Sequence, residues 1–171
     1  MKNEKIILRA LEPTDIDLLF DVENNQALWH LSQTLRPFSR FEIEQYLLSL
    51  EKDPFKAGQV RLMIEESLSN SVVGIIDLFD IDAVNQRAGV GIVILQEYRQ
   101  KGYASRALQL LKEYAFNVLN LHQLYCNIEP DNTASLKLFQ EQGFKIICSK
   151  KDWNRKNGEW IDEYFLQCLA P

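Results

Sequence analysis

Hydrophobic and polar residues alternate in several short stretches of the chain, and a strand is expected at each of them. These stretches cover about residues 5–10, 60–66, 72–80, 87–95, 123–128, 144–153 and 159–169. Small polar residues or glycines separate them, and Asn157-Gly158 is a pair typical of a two-residue hairpin turn. The pattern therefore predicts seven strands, of which the last two form a hairpin.

Four other stretches carry apolar residues at the three- and four-residue spacing of an amphipathic helix. They cover about residues 13–25, 39–50, 102–119 and 132–142. Ser39 and Glu42 have the spacing of a capping box, and Gly143 follows the last stretch as a C-terminal signal. In the longest stretch, apolar positions 104, 107, 108, 111, 115 and 118 should face a sheet.

The predicted order is strand, two helices, three strands, helix, strand, helix and two strands. Neighbouring strands followed by β-α-β units favour an α/β fold with a mixed sheet and helices on both faces. The 171 residues suit one domain, and no linker, repeat or low-complexity tract divides them. We therefore expect a single domain over residues 1–171.

Composition narrows the choice of partners. The net charge is -5, and the one basic cluster, residues 150–156, is interrupted by Asp152 and Trp153, which indicates a solvated hairpin rather than a nucleic-acid site. No apolar run reaches the roughly 18–20 residues of a membrane helix. Residues 1–5 lack the apolar core of a secretory signal, so a cytoplasmic protein without a membrane partner is expected.

The cysteines and histidines give no sign of a metal site. Cys126, Cys148 and Cys168 are far apart, and His30 and His122 complete no zinc-binding spacing. Each cysteine lies in a strand pattern, so we expect buried thiols and no bound metal.

The segment GIVILQEYRQKGYAS, residues 91–105, carries the most specific chemistry. A strand ends near Leu95 and a helix begins near Gly102, where the first helical amides have no internal partner and the helix dipole is positive. Glycine allows an anion to approach the backbone, and Arg99 and Lys101 add charge. These features predict a pyrophosphate cradle, although an ordinary basic loop fits the same residues. No P-loop or Rossmann glycine motif occurs.

Two motifs in order resemble the GNAT family of N-acetyltransferases. The segment Arg99-Gln100-Lys101-Gly102-Tyr103-Ala104 is similar to its coenzyme A pyrophosphate loop, and Asn132-x-x-Ser135-x-x-Leu138-Phe139-x-x-x-Gly143-Phe144 to its following motif. Residues 8–11 and 158–162 resemble the branch that acetylates ribosomal-protein N-termini. Residues 75–80 and 116–125 resemble spermidine acetyltransferases, so the likeness spans nearly the whole chain.

The resemblance implies a mostly antiparallel sheet of about seven strands whose central pair, residues 87–95 and 123–128, splays apart around acetyl-CoA. It places three groups of residues on the coenzyme: Ile92, Val93 and Ile94 on the pantetheine arm, Arg99, Gln100, Lys101, Gly102, Tyr103 and Ala104 around the pyrophosphate, and Asn132 from the second motif. It also implies that an amine attacks the thioester directly, without an acyl-enzyme and without a metal.

A carboxylate near the acceptor would attract a cationic amine and accept its proton. Asp77 and Asp80 are candidates, and Asp80 is favoured because it lies near a strand end. Strand alternation turns residues three apart to opposite faces unless the strand bends, and a merely solvated Asp80 stays open. Glu129, Glu159 and Asp162 are weaker candidates.

The general acid is uncertain because Phe139 stands where many GNAT members have a tyrosine. The resemblance to the ribosomal-protein branch implies Ser135 near the thiol, although a helix-start serine bonded to the backbone is an equal alternative. Tyr103 and Tyr125 are other hydroxyls, and solvent is a further source of the proton.

Several alternatives stay open for the acceptor and the activity. A protein or peptide N-terminus and a small amine both fit. A polyamine acetyltransferase is an alternative, but residues 32–37 carry no acidic residue and include Arg36, where spermidine acetyltransferases are acidic. Phe139 favours a catalytically weak acyl-CoA-binding module. We expect a monomer or a homodimer, for which the aromatic C-terminal hairpin is a possible surface.

Overall fold

The computed structural model describes residues 1–29 and 34–171. It forms two compact units, one made of residues 1–10 and 54–171 and the other of residues 11–53.

The larger unit contains a seven-stranded sheet. Its strands are β1 (Ile6–Arg9), β2 (Val60–Glu66), β3 (Val72–Asp82), β4 (Arg87–Ile94), β5 (Gln123–Ile128), β6 (Lys145–Lys156) and β7 (Glu159–Leu169). They lie in the order β1-β2-β3-β4-β5-β7-β6, and every neighbouring pair is antiparallel except β4 and β5. The predicted mostly antiparallel sheet is confirmed.

Two strands extend beyond the predicted ends, and each contains a bulge. The register shifts between Phe79 and Asp82 in β3 and between Lys150 and Asn154 in β6. Asp80 and Asp152 have left-handed φ angles of 49° at these shifts. A bulge interrupts the alternation of side chains, so the alternating pattern in the sequence ends there although the strand continues.

Three helices belong to the larger unit: α3 (Pro54–Ala57), α4 (Tyr103–Asn117) and α5 (Thr133–Glu141). The short helix α3 and a 3-10 turn, Gln96–Tyr98, are too short to show a helical period in the sequence. Ala107, Leu108, Leu111 and Ala115 of α4 are buried, as predicted. Val118 is 63% exposed because the helix ends at Asn117, so its predicted contact with the sheet is wrong.

One hydrophobic core joins the sheet to α4 and α5. Alternate residues of β3 and β4, such as Ile76, Leu78, Ala88 and Val90, are buried in it. Phe139 of α5 is 3% exposed and its ring meets that of Phe144 edge to face, with the ring centroids 5.0 Å apart.

The smaller unit contains α1 (Ile16–Glu23) and α2 (Arg40–Leu48), which pack together, and a 3-10 turn, Pro13–Asp15. The predicted capping box is confirmed, because the Ser39 hydroxyl accepts from the Glu42 amide and the Glu42 carboxylate accepts from the Ser39 amide. The Arg36 guanidinium pairs with Glu42 at 2.6 Å. Of the non-acidic segment, Ser32 and Gln33 lie outside the described residues.

The cysteines differ in exposure. Cys126 and Cys168 are buried as predicted, but Cys148 is exposed, so that part of the prediction is wrong. Cys148 lies on β6, an edge strand whose first four residues, Lys145 to Cys148, are all exposed, so neither face of the strand is buried there. Among the described helices, none combines the length and the apolar character needed to span a bilayer.

Candidate functional site

The central strands β4 and β5 separate partway along their length. They pair only from Arg87 to Gly89 with Gln123 to Tyr125. Beyond Gly89 and Tyr125, β4 continues to Ile94 and β5 to Ile128 without pairing to each other. This gap is the predicted splay, and it leaves backbone groups on this side of both strands without a strand partner.

The backbone of β4 presents alternate residues to the gap. The Leu95 amide donates to the Val73 carbonyl at 3.0 Å, which places the polar groups of Leu95 on the β3 side. Because these groups alternate along a strand, those of Val93 also face β3, whereas those of Ile92 and Ile94 face the gap. Of the three predicted contacts on β4, Ile92 therefore has its backbone groups available to a bound molecule and Ile94 has its amide, since its carbonyl accepts from the Arg99 side chain.

The loop before α4 forms a row of free backbone donors. Gln100 and Gly102 have left-handed φ angles of 60° and 80°. Within the described chain, the amides of residues 100–105 donate to no acceptor, while the Arg99 amide donates to the Gln96 carbonyl at 3.3 Å. Gly102 is the N-cap of α4 and no side chain caps the helix. Free amides at a helix N-terminus suit an anion, and here they begin and end one residue later than the predicted Arg99–Ala104.

Side chains around this loop fix its position. The Arg99 side chain donates to the Ile94 carbonyl at 3.1 Å, and the Lys101 ammonium lies 5.3 Å from the centroid of the Tyr98 ring. The Tyr103 hydroxyl donates to the Glu66 carboxylate. The pKa of Tyr103 is raised, mainly by this hydrogen bond and secondly by burial. The hydroxyl of Tyr103 thus anchors the start of α4 to the end of β2.

The start of α5 holds the other predicted residues of the second motif. Asn132 is the N-cap, and its Oδ1 accepts from the Ser135 amide at 3.2 Å. In the described part of the chain, the Asn132 Nδ2 and the Ser135 hydroxyl have no hydrogen-bond partner. The backbone therefore does not occupy the Ser135 hydroxyl, while the phenyl ring of Phe139 points into the core.

The bulge in β3 separates Asp80 from Asp77. Asp77 lies in regular register opposite Gly91 and forms an ion pair with Arg61, whose Nε is 2.8 Å from its carboxylate. At the bulge, Asp80 and Ile81 together oppose the single residue Ala88. The Asp80 carboxylate is exposed and lies 3.5 Å from the Tyr125 hydroxyl. The strand therefore bends at this point, and of the two carboxylates Asp80 is the one that forms no ion pair in the described part of the chain.

Tyr125 lies where β4 and β5 part. Its ring packs edge to face on Phe79 and stacks on Phe165, with centroids 6.0 Å and 5.5 Å away. Gly89, its partner on β4, leaves room for Phe79, since a Cβ there would lie 2.3 Å from that ring. Burial, and next the charge of Asp80, raise the pKa of the Tyr125 hydroxyl, so it keeps its proton at neutral pH.

A cleft of about 590 Å³ lies beside this pair. Its lining is Asp80, Ile81, Asp82, Arg87, Gln123, Tyr125 and Phe165. The Asp82 carboxylate accepts from the amides of Val84 and Asn85 and from the Asn85 side chain, and it pairs with Arg87. The sequence did not predict that Arg87, Gln123 and Phe165 line a cleft, because they lie on three different strands and belong to no motif.

The weaker carboxylate candidates lie outside this lining. Glu129 is buried and pairs with Lys156 at 2.7 Å, and Asp162 pairs with Lys151 at 2.5 Å. Glu159 starts β7 at the hairpin turn. In the described residues, no three His, Cys, Asp or Glu side chains are grouped so that they could hold a metal ion.

Comparison with known proteins identifies the fold and the chemistry. Residues 5–145 match the family model of the acetyltransferase (GNAT) domain. An uncharacterized N-acetyltransferase, p20, of Bacillus licheniformis is 29% identical over 97% of this chain and 93% of its own length. A spermidine N(1)-acetyltransferase of Vibrio cholerae is 25% identical over 96% of this chain and 87% of its own length.

Solved structures of the Vibrio cholerae spermidine N-acetyltransferase share the fold. One, in complex with CoA and spermine, has a TM-score of 0.86 and 24% sequence identity, and the match covers 98% of this chain and 96% of that one. A dodecameric structure of the enzyme has a TM-score of 0.81 and 26% identity, with 98% and 95% covered.

Proposed function

The chain belongs to the acetyltransferase (GNAT) family and is an acetyl-CoA-dependent N-acetyltransferase, and on this premise we propose that it acetylates a small primary amine in the cleft beside Tyr125. The observation that carries this proposal is the Asp80 carboxylate, which has no ion-pair partner in the described chain. It lies 3.5 Å from the Tyr125 hydroxyl at the point where β4 and β5 separate.

The free backbone donors fit the coenzyme. The amides of residues 100–105 suit an anionic pyrophosphate, with Arg99 and Lys101 adding positive charge. The gap-facing groups of Ile92 and Ile94 would pair with the amides of the pantetheine arm, and Val93 would contribute only its side chain. The Nδ2 of Asn132 would donate from the start of α5. Acetyl-CoA supplies the acetyl group as a thioester.

Asp80 would hold the ammonium form of the acceptor and take the first of the two protons that its nitrogen loses, which leaves the neutral amine that attacks. The second proton leaves the nitrogen after the attack and balances the proton that the departing sulfur gains. The transfer forms the bond between the amine nitrogen and the acetyl carbon and breaks the bond from that carbon to sulfur. Positioning supplies much of the rate of such a direct attack. The Ser135 hydroxyl, which has no partner in the described chain, is the proposed proton donor to the departing sulfur and would regain its proton from solvent. Phe139 has no acidic proton, and its ring is buried in the core.

A polyamine acceptor is the second candidate, and the spermidine acetyltransferase of Vibrio cholerae favours it, because it matches 96% of this chain. Against it, Asp80 is the one carboxylate of the described cleft that lacks a cationic partner. A polyamine brings two or more cations, and each additional cation would need its own anionic group.

The test is thiol release from acetyl-CoA with a panel of small amines, polyamines, amino sugars, free amino acids and short peptides. A clear acceptor should appear, and Asp80→Asn should lower kcat/KM for it by about a hundredfold, the usual contribution of a positioned base. Calorimetry should give an unchanged Kd for acetyl-CoA. Full activity of the variant would remove Asp80 from the mechanism.

The whole chain is proposed to act as one domain, since the family match at residues 5–145 includes residues of both compact units. A cytoplasmic location stays a prediction. The predicted monomer or homodimer is now too narrow a choice, because the related Vibrio cholerae enzyme has a dodecameric structure. Light scattering of the purified chain would decide the assembly.

A further inference from the structure

Arg87 lines the acceptor cleft and has unused donors. Its side chain is 50% exposed, and its only ion pair in the described chain joins one terminal nitrogen, Nη2, to Asp82 at 3.2 Å. The Asp82 carboxylate already accepts from Val84 and Asn85 at 2.7–3.0 Å. Asp82 is therefore satisfied by its own turn, and the remaining guanidinium donors of Arg87 are available to a ligand.

The cleft thus presents one free negative charge and one partly free positive charge. Both act on the same hydroxyl, because Asp80 raises the pKa of Tyr125 and Arg87 lowers it. A planar guanidinium binds a carboxylate through two parallel hydrogen bonds, and a carboxylate binds an ammonium. The rings of Tyr125 and Phe165, with Ile81, supply the apolar part of the same lining.

Resting on the proposed function, we infer that the acceptor is a zwitterion, a free amino acid or a related amino-carboxylate, whose ammonium group binds at Asp80 and whose carboxylate binds at Arg87. A polyamine has no group for Arg87 and would bring a second cation toward it. Repulsion between that second cation and the Arg87 guanidinium would weaken the binding of a polyamine. A peptide N-terminus lacks the α-carboxylate and would leave Arg87 unused.

Three related amines test the inference: L-phenylalanine, L-phenylalaninamide and 2-phenylethylamine. The carboxylate is present only in the first. The amine of the amide is less basic than that of the amino acid, and the amine of 2-phenylethylamine is more basic, so basicity cannot imitate a preference for L-phenylalanine over both. We expect kcat/KM for L-phenylalanine to exceed each of the others by about tenfold or more, as one charge-assisted hydrogen bond allows.

Arg87→Gln should abolish this preference. It should lower kcat/KM for L-phenylalanine by about tenfold more than kcat/KM for 2-phenylethylamine, and circular dichroism reports whether the variant is folded. Arg87→Lys should keep part of the preference, because it retains the charge without the planar fork. Arg155→Gln, at an exposed position outside the cleft, is the matched control and should change neither rate.

The outcomes separate the two proposals. If no amine of the larger panel is acetylated, the proposed function fails. If amines are acetylated but 2-phenylethylamine or a polyamine reacts as fast as the amino acids, the zwitterion inference alone is wrong. An equal effect of Arg87→Gln on all three phenyl compounds would overturn it as well.

Discussion

At the scale of single residues, the site depends on one bulge. Asp80 was a candidate from the sequence because it lies near a strand end, but its approach to Tyr125 was not predictable. The pattern of residues does not predict that this aspartate has a left-handed φ, which is 49°. The bulge brings both Phe79 and Asp80 to the Tyr125 side chain, which regular alternation would forbid.

Ser135 is the residue whose catalytic role can be tested most cleanly. Its hydroxyl has no hydrogen-bond partner in the described chain, while its amide holds the Asn132 cap. Ser135→Ala keeps the amide and removes only the hydroxyl. We expect kcat to fall by about a hundredfold if Ser135 donates the proton, with the Kd for acetyl-CoA unchanged in calorimetry. An unchanged kcat would assign protonation of the sulfur to solvent.

At the scale of elements, the loop before α4 was the part of the site most visible in the sequence. The glycine, the basic residues and the helix start are all local features, so the sequence alone was enough to predict a pyrophosphate loop at Arg99 to Ala104. The one-residue shift of the free amides could not, because it depends on the 3-10 turn at Gln96–Tyr98, which takes the Arg99 amide.

Gly102 provides a test of that loop. Its φ of 80° is unfavourable for any residue with a Cβ, so Gly102→Ala should strain the cradle and cost about 1 kcal/mol of stability. We expect the Kd for acetyl-CoA to rise by about tenfold. Gly58→Ala is the matched control, since Gly58 has a φ of 69° and open space around it. It should cost similar stability without changing the Kd, and equal Kd values for both variants would contradict the cradle.

The cap of α2 gives the smaller unit a pH dependence. Hydrogen bonds from Arg36, and next from Ser39, lower the pKa of Glu42 from 4.5 to about 2. The Glu42 carboxyl group therefore binds a proton less readily in the folded state than in the unfolded state. Its contribution to the free energy of unfolding is complete above pH 4.5 and is lost as the pH falls toward 2.

Glu42→Gln should reduce the free energy of unfolding more at about pH 6 than at about pH 3. Glu44→Gln in the same helix is the control, because the Glu44 carboxylate has no partner in the described chain, and it should change little at either pH. A Glu42→Gln effect that is equal at both pH values would show that the ionised cap does not stabilise the helix. Urea unfolding followed by circular dichroism measures both variants.

At the scale of the whole molecule, the order of elements and the splayed pair followed from patterns and from the family resemblance. The position of β7 between β5 and β6 did not, because strand order depends on contacts between residues far apart in sequence. The acceptor cleft could not be predicted for the same reason, because it is lined by residues of four strands: Asp80, Arg87, Tyr125 and Phe165.

The central claim is that the chain transfers the acetyl group of acetyl-CoA to an amine. The most direct measurement follows free thiol and N-acetylated amine together in one reaction with the best acceptor of the panel. We predict that the two products appear at equal rates and that little thiol is released when the amine is omitted. Thiol release that proceeds without the amine, or without an acetylated product, would contradict the account and indicate hydrolysis of the thioester instead.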